Sequence, residues 1–155
     1  LGERAPNALV VGLGNALRRD DRCGLAVALR VRAHPRSDTS VLAWEGEPMA
    51  LLDLWDGETD VVLVDATAPS GSPGTIRRFD AGLQSLPAQH FSLSSHAVGL
   101  GEAIETARAL GRLPASLIVY GIEGADFDLG SELTPDVERS ARVVAELLSV
   151  EIRGR

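Results

Sequence analysis

A chain of 155 residues with 45% hydrophobic and 24% charged side chains has apolar material for one core and hardly for two. Its net charge of −7 and pI near 4.9 argue against a nucleic-acid partner, because counterion release needs clustered basic side chains. The single cysteine, Cys23, excludes a disulfide framework or a cysteine zinc cage; with no apolar run near the roughly 20 residues that cross a bilayer, and no signal-peptide pattern, the expected address is the cytoplasm, with no membrane partner.

Apolar runs alternate with helical patterns along the chain, the signature of an α/β fold. ALVVGLG (Ala8 to Gly14) is a short apolar run ending in glycine, hence a buried strand. Asp21 to His34 reads as a helix, with Leu25, Ala28, Leu29 and Arg32 down one side and Pro35 as its stop. TSVLAWEG gives a second strand, and PMALLDLW a short helix with Pro48 at its start. DVVLVDA (Asp60 to Ala66) is the strongest strand signal, β-branched and apolar up to Asp65. A loop containing Pro69, Gly71, Pro73 and Gly74 leads to an edge strand, TIRRFD, read as antiparallel to the rest.

After an irregular stretch from Leu83, a helix is expected from about Ser95 to Leu110, with Ile104, Ala107 and Leu110 on one face. SLIVYGIEG (Ser116 to Gly124) is another buried strand. Thr134 and Pro135 open the last helix as N-cap and first-turn proline. Val137, Ala141, Val144 and Leu148 form its buried stripe, with Glu138 and Arg142 paired outside. No repeat or linker interrupts the pattern. Residues 1–155 therefore read as one domain, a twisted and mostly parallel sheet with helices on both faces.

In such sheets ligands bind beyond the carboxyl ends of the strands. That end should collect the glycine turn with Asp20 and Asp21, Asp65 at its strand tip, and Ser94-Ser95-His96 at a helix start. Gly12-Leu13-Gly14-Asn15 begins like a dinucleotide fingerprint, but the third glycine is missing and the acids that follow would repel a phosphate. The turn reads instead as a close backbone approach that aims the next residues into the cleft. Asp20 suits a helix cap, which leaves Asp21 for chemistry. Asp65, ending an apolar strand, must be hydrogen-bonded to a loop, paired, or bound to a cation. At a helix N-terminus the dipole favours a neutral His96, the form that ligates metal or polarises a substrate.

Asp21, Asp65 and His96 offer two oxygens and one nitrogen, a set that suits zinc or nickel better than magnesium. Serine chemistry at Ser94 or Ser95 lacks a nucleophile elbow. Cys23, beside two acids, reads as a small core residue, and His34 and His90 as surface histidines.

These stretches together resemble the maturation endopeptidases of nickel-iron hydrogenases. VVGLGNALRRDDRCG is similar to that family's G-x-G-N-x-L-x-x-D-[DE]-x-x-G opening, VVLVDA to its strand ending in Asp-Ala, and PGTIRRFD to its Pro-Gly-Thr lead into a strand. SSHAVGL resembles its S-x-H-x-x-G-L segment, and LTPDVERSARVVAELL its closing helix. The resemblance implies a five-stranded α/β/α sandwich. It also implies an endopeptidase that removes a C-terminal extension from the hydrogenase large-subunit precursor after nickel insertion. The nickel would belong to the substrate and be read through Asp21, Asp65 and His96. Separately from the resemblance, the chain is expected to act as a monomer.

This sequence departs from the family pattern at Arg22 and Cys23, and more seriously at Glu45-Gly46-Glu47-Pro48, where the usual loop is D-G-G-T. Other readings are a nickel-sensing docking module that does not cut, and a peptidyl-tRNA hydrolase, whose VGLGN opening looks alike. The latter family continues with Pro-Gly where this chain has Ala16-Leu17-Arg18.

Overall fold

The computed structural model describes residues 8–36, 38–57, 59–92 and 96–153. Strands β1 (Ala8–Leu13), β2 (Thr39–Trp44), β3 (Asp60–Thr67), β4 (Ile76–Asp80) and β5 (Ser116–Glu123) form one sheet in the order β2-β1-β3-β5-β4. All neighbours are parallel except β4, which runs antiparallel to β5 at the edge. Helices α1 (Cys23–Arg32) and α3 (Pro135–Arg153) cover one face. Helix α2 (Leu100–Ala109) and a 3₁₀ helix, Pro48–Asp53, cover the other. The expected three-layer, mostly parallel, five-stranded fold is the observed one.

Each strand divides its residues between two cores. Leu9, Val11 and Leu13 of β1 join Val61 and Leu63 of β3 and Leu117 and Val119 of β5 beneath α2. Val10, Val62, Val64, Ile118 and Ile122 face α1 and α3. Central strands buried on both faces read as unbroken apolar runs, which is why β3 and β5 are so plain in the sequence. Val137, Ala141, Val144 and Leu148 are fully buried, as the α3 pattern requires. Glu138 holds Arg142 at 3.3 Å and also Arg30 of α1 at 2.8 Å, joining the two helices on the outside.

Two helices depart from the sequence reading. The stretch from Asp21 is not continuous α-helix: residues Arg19–Arg22 form a 3₁₀ helix, and α1 begins at Cys23. Its buried face is Cys23, Gly24, Val27, Ala28 and Val31 with Leu25, while Leu29 is 49% exposed and Arg32 also faces out. The cause is backbone contact. A Cβ on Gly12 would lie 1.9 Å from the Gly24 carbonyl oxygen, and one on Gly24 would lie 2.2 Å from that of Leu13 and 2.3 Å from that of Val64. The helix is rotated to put glycine, not leucine, against the sheet. Helix α2 starts at Leu100 rather than near Ser95, which lies outside the described residues, and Leu110 at its end is 60% exposed. The start is set by Gly99, whose N–H donates to Glu102 Oε2 at 3.3 Å, a box-like closure of the first turn. No helix among the described residues is long and apolar enough to cross a membrane.

The Gly12–Gly24 contact gives a direct expectation. Gly24→Ala forces overlap with the sheet and destabilises by about 1–3 kcal/mol or more. Gly101→Ala in α2, where a Cβ meets nothing within 4 Å, stabilises by up to about 1 kcal/mol. Urea unfolding midpoints of the two variants measure both.

Candidate active site

The sheet order places β2 on one side of β1 and β3 on the other, so their crossovers leave in opposite directions and open a crevice at the carboxyl ends of β1 and β3. The turn after β1 is fitted into that crevice. Gly14 has φ +149, and a Cβ there would meet the Asp21 carbonyl oxygen at 1.8 Å, so only glycine lets the chain double back. The Asn15 N–H donates to that same carbonyl at 3.2 Å, and the Ala16 N–H donates to Glu45 Oε1 at 2.8 Å beyond β2. The glycine turn is thus the close approach read from the sequence.

The adjacent aspartates separate sharply. Asp20 is fully buried and does not cap its own helix, which has no side-chain cap. Its Oδ2 accepts from the N–H groups of Ala125 and Asp126 at 2.8 and 3.0 Å, and its Oδ1 from the N–H of Thr134 at 2.8 Å. The Thr134 hydroxyl adds bonds to both oxygens. The acid expected to cap α1 therefore anchors the loop between β5 and α3 instead. The reason is tertiary: several loop N–H groups converge on it from over 100 positions away. Asp21, its neighbour, faces the pocket.

Asp65 and His96 line that same pocket, with Asn15 and Glu45 among the other walls. Among the described residues, the hydrogen bond that Asp65 Oδ1 accepts is local, from the N–H of Ala66 at 2.8 Å. Burial and then the charge of Asp21 raise its pKa to about 7, against the lowering effect of that bond. The Asp21 carboxyl is also raised, chiefly by burial; Arg18, the Asn15 amide and His96 pull it down less strongly. Both carboxyls resist ionising, chiefly because they are buried, and the Asp21 charge adds to the shift at Asp65, so the two gain from an incoming cation. Among the described residues, no three His, Cys, Asp or Glu side chains are gathered tightly enough to hold a metal by themselves.

His96 reaches the pocket from a bend, four residues before the first residue of α2. The helix-dipole argument for it therefore loses its geometric basis. Its Nδ1 contacts Glu47 Oε1 at 3.0 Å instead. The sequence marks Glu47 only as a departure and gives no hint of this contact, because the two residues are 49 positions apart.

Cys23 is buried, and desolvation together with Asp65, Asp21 and Asp20 pushes its thiol well above its ordinary value, so it is a core residue as expected. His34 is exposed, and His90 is half-buried with its ring 6.3 Å from that of Phe79; neither lines the pocket. A further acid unremarked in the sequence, Glu123, is fully buried at the end of β5. It accepts from the Ser70 hydroxyl at 2.5 Å, the Ser72 N–H at 2.6 Å and Arg77 at 3.2 Å, fastening the loop after β3.

The family model of the HycI hydrogenase maturation protease matches residues 25–150, a stretch that contains Asp65 and His96 and begins just after Asp21. The chain belongs to the hydrogenase maturation proteases. It is 27% identical over 147 residues to the hydrogenase expression/formation protein HupD of Thiocapsa roseopersicina, covering 92% of this chain and 66% of HupD. It thus spans just under two thirds of that relative's length. The hydrogenase maturating endopeptidase HybD from E. coli superposes with a TM-score of 0.75 at 22% identity, over 96% of this chain and 93% of HybD. A [NiFe] hydrogenase maturation protease HycI from Thermococcus kodakarensis KOD1 gives a TM-score of 0.68 at 23% identity, over 92% and 90%. At these identities the two structures speak for the fold alone.

The acids of this maturation protease-family chain should separate in stability measurements. Asp20→Asn weakens the acceptor of several buried N–H groups and destabilises by about 1–3 kcal/mol in chemical unfolding. Asp65→Asn acts oppositely. A carboxyl raised from 3.8 to about 7 on folding takes up protons, so its contribution falls as pH rises through that window. The Asn variant therefore gains over wild type above pH 7 and much less below 3.8.

Glu123 has the reverse sign. Burial works to raise its pKa, but the bonds from Ser70, Ser72 and Arg77 outweigh it and hold the carboxyl at about 2. Its contribution is present above 4.5 and lost as pH falls toward 2, so Glu123→Gln flattens the acid limb of the stability curve across that interval.

Proposed function

We propose that this chain is an endopeptidase that removes the C-terminal extension of a nickel-iron hydrogenase large-subunit precursor after nickel insertion, and that it reads the nickel carried by that substrate. The observation that carries this reading is the convergence of Asp21, Asp65 and His96 on one pocket at the β1/β3 crevice, with both carboxyls raised. A divalent ion brought by the substrate relieves the repulsion between the acids and accepts the imidazole, while the precursor supplies the remaining ligands. The protein needs no nickel of its own; the site is completed only in the complex.

The chemistry is hydrolysis of one peptide bond. The substrate's nickel can polarise the scissile carbonyl. A pocket carboxylate oxygen of Asp21 or Asp65 that is not engaged by the nickel is suited to take a proton from the attacking water and to return it to the leaving amine. Leu17 and Leu129 are 66% and 86% exposed on facing loops, which are joined where the Gly130 N–H donates to the Leu17 carbonyl at 2.9 Å. They give a protein substrate apolar footing near the cleft. The protease acts as a monomer on this partner.

The test is the mass of a cognate precursor, nickel-loaded or nickel-free, before and after incubation with the protein. Loss of a C-terminal peptide is expected only with nickel. Asp21→Ala and His96→Ala should lower the cleavage rate by about 10²-fold or more while leaving the circular dichroism unchanged. An intact nickel-loaded precursor that nevertheless binds would favour a docking module. Normal cleavage by either variant would remove its residue from the site.

A further inference from the structure

The Glu47–His96 contact is more specific than a surface ion pair. A carboxylate accepts hydrogen bonds and donates none, so at 3.0 Å from Glu47 Oε1 it is the His96 Nδ1 that carries a proton. In the neutral ring the lone pair is then on Nε2. Glu47 is also well fixed for a residue whose side chain is 66% exposed. Its φ of −64 and ψ of 136 are the extended values imposed on a residue before proline, here the buried Pro48 that opens the 3₁₀ helix. Its carbonyl accepts from Trp44 Nε1 at 3.3 Å and from the Ala50 N–H at 3.1 Å. The preceding Gly46 is tucked under the Trp44 ring, where a Cβ would lie 3.0 Å from the indole. The carboxylate thus starts from a held backbone at the rim of the pocket that His96 lines.

We propose that Glu47 is a positioning residue, holding His96 as the Nδ1–H tautomer so that Nε2 carries the lone pair for the substrate's metal. The proposal rests on the functional reading above and deepens it, since it assigns the ring atom that meets the metal and the residue that selects it. Histidine ligands commonly depend on such a partner for tautomer and ring direction. An exposed pair adds little to fold stability. The two neutral tautomers lie close in energy, however, so a single hydrogen bond biases them roughly fivefold.

The experiment reads the tautomer of His96 in the free protein by long-range nitrogen–proton NMR, at a pH where the ring is neutral. Three histidines make the assignment simple, with His96→Gln as the reference. Wild type should show the Nδ1–H pattern, Glu47→Ala should move it toward Nε2–H, and Glu47→Gln, whose amide oxygen still accepts, should retain Nδ1–H. In parallel, kcat/KM on nickel-loaded precursor should fall about 10–100-fold in Glu47→Ala and largely recover in Glu47→Gln. An Nε2–H tautomer in wild type, or one unchanged by Glu47→Ala, overturns the proposal. So does a tautomer change without loss of cleavage, or faster cleavage by Glu47→Ala, which would make the contact a latch. The NMR needs no precursor. A wild-type protein that shows the Glu47-dependent tautomer but does not cut overturns the endopeptidase reading and supports the positioning role.

Discussion

The contact on which the site depends has no side chains in it. At Gly12 and Gly24 the backbones of β1 and α1 come so close that a single Cβ on either would overlap a carbonyl. That approach fixes how α1 lies on the sheet and therefore where the chain between them must go. With Gly14 turning back on the Asp21 carbonyl, the segment Arg19–Arg22 is delivered across the mouth of the β1/β3 crevice. The usual hydrophobic logic of helix packing is overridden there, which is why Leu29 is turned outward.

Around that mouth the protein uses carboxylates for two opposed purposes. Asp20 and Glu123 are each fully buried, and converging donors fasten to them the loops that follow β5 and β3. Asp21 and Asp65 receive far fewer such bonds, and burial raises both of their pKa values. The contrast is one of hydrogen-bond supply. Carboxyls with donors are structural, and carboxyls left short of them keep affinity for an incoming cation or proton. Perturbed groups of this second kind are the usual mark of a reactive site.

The stretch of residues 45–48, where the sequence departs from the family pattern it resembles, makes part of the pocket wall. Glu45 ties the glycine turn to the end of β2 through Ala16, and Glu47, held by Pro48 and Trp44, meets His96. A loop that reads as a loss of family character is, in three dimensions, a second set of contacts to the same pocket. The proline that removes flexibility from the loop is also what gives the Glu47 carboxylate a defined place.

The sequence alone determined the layered fold, the strand order of apolar runs, the α3 stripe and the grouping of Asp21, Asp65 and His96 at one end of the sheet. Those features follow from local periodicity and from the rule that parallel sheets bind at their carboxyl ends, both of which a linear chain displays. Tertiary structure alone decided which of two neighbouring aspartates would anchor and which would face the pocket. It also decided which side of α1 would be buried, where α2 would start and that Glu47 would meet His96. The roles of Asp20 and His96 depend on partners far along the chain, 105 and 49 positions away, and no local pattern encodes the direction from which such a partner arrives.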